Sequence, residues 1–158
     1  GTSANTFSPD EVMTRGMFVT VLGRLAEANV KDYPQSSFID VNPDAYYMSY
    51  IEWANQLGIA SGVGNGEFAP NQPITREQLA VMMANYARAI GIPLPEVREP
   101  SDFADSAAIS AYAKEAVKEM QKAGILEGKD GNRFDPQGTA TRAEVAAVLQ
   151  RFAKLADK

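Results

Sequence analysis

An all-α fold of repeated helix–loop–helix units is what this sequence predicts, on three observations. The tract Phe-x-Pro-x4-Thr-Arg occurs three times, as Phe7 to Arg15, Phe68 to Arg76 and Phe134 to Arg142, with the same eight-residue step from Phe to Arg. Each copy runs into apolar residues at steps of three, one and three, which is one face of an α-helix. These are Phe18, Val21, Leu22 and Leu25, then Leu79, Met82, Met83 and Tyr86, then Val145, Val148, Leu149 and Phe152. Short glycine-rich loops, Gly62 to Gly66 and Gly128 to Gly131, stand at matching places before the second and third copies. A repeat of about 60 to 66 residues without a catalytic-looking cluster points to a stacked binding module rather than an enzyme.

The elements follow in order. Helices are predicted over about 14–28, 75–90 and 141–156. Thr75-Arg-Glu-Gln78 and Thr141-Arg-Ala-Glu144 match the capping box, in which Thr accepts from a first-turn N–H and Glu or Gln reaches back. Thr14-Arg-Gly-Met17 keeps the cap and loses the reciprocal acid. A second kind of helix opens at Phe38-Ile-Asp40, carrying Tyr46, Tyr50, Ile51, Ala54 and Leu57, and again at Phe103-Ala-Asp105, carrying Tyr112, Ala116, Val117, Met120 and Ala123. Asp40 and Asp105 are expected to bond N–H groups at those helix starts, and Gly58 and Gly124 to end the helices in a left-handed conformation. Proline-bearing linkers, 29–37 and 91–101, separate the units. Gly1 lies six residues before Phe7, as Gly62 and Gly128 lie before Phe68 and Phe134, so the opening helix of the first unit is expected to be either missing from this stretch or replaced by something else. The expectation is an apolar face left uncovered near Phe18 and Leu22, available to a second copy in a homo-oligomer or to another chain.

Composition narrows the function. The 158 residues contain no Cys and no His, which removes disulfides, zinc thiolates, cysteine nucleophiles and the usual neutral-pH base. A net charge of −5 argues against a general nucleic-acid partner. No apolar run reaches a membrane span of about 18 to 20 residues, and Gly1-Thr-Ser-Ala has no signal-peptide character. Asp130 to Asp135 lacks the alternating carboxylates and terminal Glu of a calcium loop, so no metal or cofactor is expected.

The candidate chemistry lies in the arginines. A cation between cap and first turn faces the positive end of the helix dipole, which is mildly unfavourable. Three arginines in one slot, Arg15, Arg76 and Arg142, therefore have another task. Two readings stand: a salt bridge to a neighbouring acid such as Asp40 or Asp105, or recognition of a ligand carboxylate or phosphate, which free N–H groups at the helix start would assist. Tyr46, Tyr112 and the single tryptophan, Trp53, divide between core packing and stacking on a sugar ring.

These residues together carry a family likeness. Phe38-Ile-Asp-Val with Tyr46, Gly58-Ile, Gly62, Asn65-Gly66-x-Phe68-x-Pro70 and Ile74-Thr-Arg resembles the S-layer homology repeat from end to end, and Phe103 to Leu155 resembles it again. The resemblance divides the chain into the second half of one repeat (1–30) and two whole repeats (31–91 and 92–158). It implies a pseudo-threefold helical assembly that anchors an extracellular protein to the bacterial wall without catalysis. Its partner would be secondary cell-wall polysaccharide, often carrying pyruvate-ketal sugars, held in grooves between repeats. Carried onto this chain, the binding set is Arg15, Arg76 and Arg142 with Thr14, Thr75 and Thr141, the rings of Tyr46, Tyr112 and Trp53, and the loop glycines Gly62 and Gly128. The alternative is a structural or protein-interaction module whose arginines form internal salt bridges. The chain departs from the family pattern at Met17 and Gln78, where a glutamate closes the motif, and at Tyr46 and Tyr112, where tryptophan is frequent.

Overall fold

The computed structural model describes residues 11–97, 99 and 101–156 of the chain. Among them run five α-helices: α1 (Arg15–Leu25), α2 (Met48–Gln56), α3 (Arg76–Ala89), α4 (Lys114–Lys122) and α5 (Arg142–Ala156). Single 3-10 turns occupy Val30–Asp32, Ser106–Ala108 and Ala111–Ala113. No strand occurs among the described residues, and extended segments meet only in isolated bridges. The fold is all-α. The first Phe-x-Pro copy, at Phe7 to Pro9, lies outside the described residues.

The Thr-Arg helices begin where their caps place them. The two intervening helices start later than the sequence pattern implied. Asn42 accepts from the Asp44 N–H at 2.8 Å and turns the chain, so α2 begins only at Met48 and Tyr46 sits in the turn before it. Tyr112 lies on the 3-10 turn that precedes α4, because Glu77 holds the Ser110 N–H (2.9 Å) and hydroxyl (2.6 Å) at the turn's entry. Both helices stop as expected: Gly58 (φ 74°) and Gly124 (φ 72°) take the left-handed conformation that lets Ile59 and Ile125 bond back to Ala54 and Met120.

The described chain divides into two compact units. One comprises Thr14–Pro73 and Val81–Pro93, the other Gly1–Met13, Ile74–Ala80 and Leu94–Lys158. In the first, α1 packs on α2. Gly23 is needed there because a side chain would strike the Tyr50 ring. Phe18 and Leu22 are fully buried, so the uncovered face expected near them does not exist. The chain's own α2 covers the helix that sequence reasoning left bare, and the exposed face that suggested a homo-oligomer goes with it.

The second unit contains a closed ring of main-chain hydrogen bonds. The Met13 N–H donates to the Ala140 carbonyl (3.1 Å), the Ala140 N–H to Ile74 (3.0 Å) and the Ile74 N–H to Met13 (2.8 Å). These are the residues immediately before Thr14, Thr75 and Thr141. Met13 is 8% exposed and Ile74 and Ala140 are wholly buried, so none of the six groups has water as a substitute partner. Replacing Ala140 by Pro keeps an extended backbone but deletes one donor. We expect a loss of about 1–3 kcal/mol, measured by urea unfolding, from the orphaned Ile74 carbonyl. Unchanged stability would mean the ring is dispensable.

Candidate functional site

Each motif threonine performs its capping task. Thr14 accepts from the Met17 N–H (3.1 Å), Thr75 from Gln78 (3.2 Å) and Thr141 from Glu144 (3.1 Å). Gln78 and Glu144 reach back to the threonine N–H groups at 3.0 and 3.4 Å, closing the box. The remaining first-turn donors of α1 and α3 are also taken. Arg15 and Gly16 donate to the carbonyls of Gln72 and Pro70 (both 2.9 Å), and Arg76 and Glu77 to those of Gly138 (2.8 Å) and Pro136 (3.0 Å). Phe18 and Leu79 donate to the threonine carbonyls. The free N–H groups expected at these two helix starts are therefore absent: the Phe-Pro loop of the following repeat has filled the place an anion would use.

The motif arginines divide in two. Arg15 is 3% exposed, donating through Nε to the Phe68 carbonyl (3.0 Å) and through Nη2 to Ser61 (2.8 Å), with its guanidinium 4.6 Å from the centre of the Phe68 ring. Arg76, 4% exposed, repeats this on the next unit of sequence: Nε to Phe134 (2.7 Å), Nη2 to Glu127 (2.7 Å) and the ring of Phe134 at 4.9 Å. Its Nη1 also meets the Glu144 carboxylate. Each guanidinium thus ties its helix to the glycine loop and Phe carbonyl 46 to 58 residues downstream. Arg142 is more open, with a side chain 30% exposed, Nη2 3.4 Å from the Glu11 carboxylate and a buried Nε without a hydrogen-bond partner. The acids paired with Arg76 and Arg142 are Glu144 and Glu11, in place of the Asp40 and Asp105 that sequence suggested.

Those two aspartates hold the Phe-x-Pro tracts. The Asp40 oxygens accept from the N–H groups of Phe68 and Ala69 and the Asp105 oxygens from Phe134 and Asp135, all at 2.8 Å. Ala69 and Asp135 are both left-handed (φ 59°), a conformation that costs a non-glycine residue about 1–2 kcal/mol. A carboxylate gripping two adjacent amides offsets that strain and presents the Phe carbonyl to the arginine. Neither aspartate caps a helix start, as the sequence had implied. Partial burial by itself pushes the Asp105 carboxyl up, but the N–H groups of Phe134, Asp135 and Asp105 itself, with the Arg133 charge, outweigh it and the net pKa is lowered.

A cleft of about 290 Å³ opens beside Arg76, between α5 and the Gly128 loop. Lys129, Glu144 and Arg151 stand around it, and Leu126, Ala147 and Val148 supply apolar surface. Gly128 lines this cleft and has a packing reason to lack a side chain: a Cβ would lie 2.8 Å from the Phe103 ring. Gly62 is more constrained, since a Cβ there would lie 2.6 Å from the Glu67 carbonyl oxygen and 2.7 Å from the Phe38 ring.

The aromatic candidates separate. Trp53 is 4% exposed and packs edge-on against Tyr86 at 6.5 Å, which makes it a core residue with no face for a sugar. Tyr46 (58% exposed) leans edge-on against Tyr47, whose ring packs at Gly16 beside Arg15. Tyr112 (62% exposed) donates its hydroxyl to Glu77, next to Arg76, at 3.1 Å. Neither tyrosine lines the Arg76 cleft. Sequence reasoning passed over Lys129 and Arg151, although a signal existed: Arg151 follows Arg142 by nine residues, as Arg24 follows Arg15.

Residues 37–80 and 102–146 match the family model of the S-layer homology domain. The chain belongs to the S-layer homology family. It is similar to an endoglucanase of Bacillus sp. (strain KSM-635), 39% identical over 151 residues that cover 94% of this chain and 16% of that protein. An amylopullulanase of Thermoanaerobacterium thermosulfurigenes is 35% identical over 155 residues, 94% of this chain and 8% of that one. The surface-layer 125 kDa protein of Lysinibacillus sphaericus is 27% identical over 154 residues, 96% and 12%. The chain therefore spans only a small part of the curated relatives it matches. S-layer homology modules are cell-surface, cell-wall-associated units, and no described helix here is long and apolar enough to cross a membrane.

Within this S-layer homology fold the aspartate clamp gives a pH signature. A lowered folded-state pKa contributes stability that is complete above the unfolded value, about 3.9, and is lost as the pH falls through the lower folded value. We expect Asp105→Asn to lower the melting temperature by several degrees at pH 7. The gap from wild type should close as the pH drops below about 4. A gap that stays constant down to pH 2 would remove the carboxylate from the explanation.

Proposed function

We propose that this chain is a non-catalytic anchoring module that binds anionic, pyruvylated secondary cell-wall polysaccharide through grooves beside its motif arginines. The observation that carries the reading is what the relatives share. Proteins named as an endoglucanase, an amylopullulanase and a surface-layer protein differ in their tasks, yet each contains a stretch like this one as 8–16% of its length. A segment carried by such different proteins is suited to attachment, with the distinct task of each left to the remainder.

The Arg76 cleft fits one acidic sugar unit better than an extended oligosaccharide. Its volume lies at the small end of ligand pockets, and it combines cations, acceptors and apolar surface. Arg76, capped into place by Thr75, lines its wall and Gly128 its rim, while Tyr46 and Tyr112 offer exposed rings near the starts of α1 and α3. Arg142, with Thr141 as its cap, is the most accessible of the three motif arginines. The pseudo-threefold assembly belongs to the same reading, supported by the ring through Met13, Ile74 and Ala140, and several weak grooves on one polymer would add avidity. The burial of Arg15 and Arg76 favours a second reading, in which the arginines are internal ties and the module contacts protein.

Co-sedimentation with purified cell walls separates these readings. The module should pellet with native walls and lose about tenfold or more in affinity once the pyruvate groups are removed. Binding that ignores their removal would refute the anionic-sugar reading, and no binding at all would favour the protein-contact reading.

A further inference from the structure

We infer that the repeat holding α4 carries a second, separate binding site, a cleft between α4 and the segment 101–111 that takes a short polypeptide turn bearing charges of both signs around an apolar anchor. The cleft holds about 540 Å³, within the range of ligand pockets and larger than the one beside Arg76. Buried Phe103, Ile109 and Val117 form its floor. It shares no lining residue with the Arg76 cleft, so the inference stands apart from the wall-polymer reading.

The repeat holding α2 shows what covers this side of the helix. There the linker before Phe38 runs along α2. Its turn Val30–Asp32 packs on the helix, the Tyr33 carbonyl accepts from the Ser49 hydroxyl at 2.8 Å, and Ser37 donates its N–H and hydroxyl to Glu52, both at 2.8 Å. Glu52 is left 4% exposed. Ser49 and Glu52 stand nine and six residues before Gly58, and the residues at the same steps before Gly124 are Glu115 and Lys118. Both are exposed and both line the cleft. The path of the linker is the cause. Here the Val97 N–H donates to the Lys122 carbonyl at 2.8 Å and the Ser101 N–H to Gln121 at 3.2 Å, so this linker crosses α4 near its last turn and leaves the edge of Glu115 and Lys118 bare.

The charges at the mouth identify the kind of occupant. Lys114 and Lys118 lie one turn apart on α4, an unfavourable pairing of like charges, and among the described residues neither meets a carboxylate. Asp102 and Glu115 line the same mouth, and among the described residues no cation pairs with them. Cations and carboxylates without partners above an apolar floor complement a ligand that carries both signs and an apolar side chain, as a peptide does and an anionic sugar does not. A sugar would also need an open aromatic face, and the ring in the lining, Phe103, is 6% exposed and packed against Phe134. The covering turn of the α2 repeat, Val30-Lys31-Asp32-Tyr33, has the composition that the open cleft calls for. With Lys118 in the place of Glu52 the wall donates where the other accepts, so a carbonyl or carboxylate of the peptide meets it.

Amide chemical-shift mapping of the whole chain by NMR, during titration with an acetylated and amidated peptide of residues 29–37 of this sequence, tests the site. The amides of Phe103, Ile109, Lys114 and Lys118 should shift with a Kd of about 0.1–1 mM, while those around Arg76 stay in place. A scrambled peptide of the same composition should bind about tenfold more weakly. Ala111→Trp, which fills the mouth from an exposed position, and Lys118→Glu, which reverses one charge there, should each weaken binding by about tenfold. Both side chains stand exposed, so thermal unfolding of the two variants should stay at the wild-type value. If several millimolar peptide leaves these amides unmoved, or moves them equally in both variants, the inference is overturned. Shifts of the same amides by wall polysaccharide and not by the peptide would assign the cleft to a sugar and overturn it as well.

Discussion

Six main-chain groups, one N–H and one carbonyl from each of Met13, Ile74 and Ala140, satisfy one another in a closed cycle that no water can replace. Because each residue immediately precedes a capping threonine, the cycle fixes where three helices begin. Everything functional hangs from those starting points. Once Ile74 is fixed, Thr75 caps α3, and Arg76 emerges at a depth where its guanidinium reaches the Phe134 and Glu127 carbonyls and meets Glu144. The loop so held carries Gly128 and Lys129, and the helix so held carries Glu144 and Arg151. The cleft is thus a by-product of a main-chain constraint located elsewhere in the unit.

The arginine tie and the aspartate clamp work as a pair. A Phe-x-Pro turn with a left-handed middle residue is unfavourable by itself, and a buried cation without acceptors is more so. Asp105 stabilises the turn through two amides, the turn then presents the Phe134 carbonyl, and Arg76 takes it while stacking on the Phe134 ring. Asp40, Phe68 and Arg15 repeat the arrangement. Two of the three motif guanidinium groups, Arg15 and Arg76, thus commit hydrogen bonds to their own chain, while Arg142 stays partly open.

What the sequence made legible was local. The extents of α1, α3 and α5, the capping threonines with Gln78 and Glu144, and the stops at Gly58 and Gly124 all depend on neighbours within a few residues, and the periodicity carries them. What it concealed was long-range. The partners of Asp40 and Asp105 lie 28 to 30 residues away, and those of Arg76 lie 51 to 68 away. Nothing in either stretch identifies the other. The burial of Phe18 and Leu22 was hidden for a similar reason: α2, rather than a preceding helix, packs on α1. The candidate site was legible in its repeated arginines and loop glycines, but exposure decides which cations a ligand can touch, and a repeating motif says nothing about exposure.

The ring is most directly tested by native-state hydrogen exchange of the three amides that form it. The Met13, Ile74 and Ala140 N–H groups should exchange only through global unfolding, with protection equal to the most stable amides of α3 and α5. Exchange of any of the three at the rate of an exposed loop, while those helix interiors stay protected, would show that the helices hold their positions without the cycle and would contradict the account.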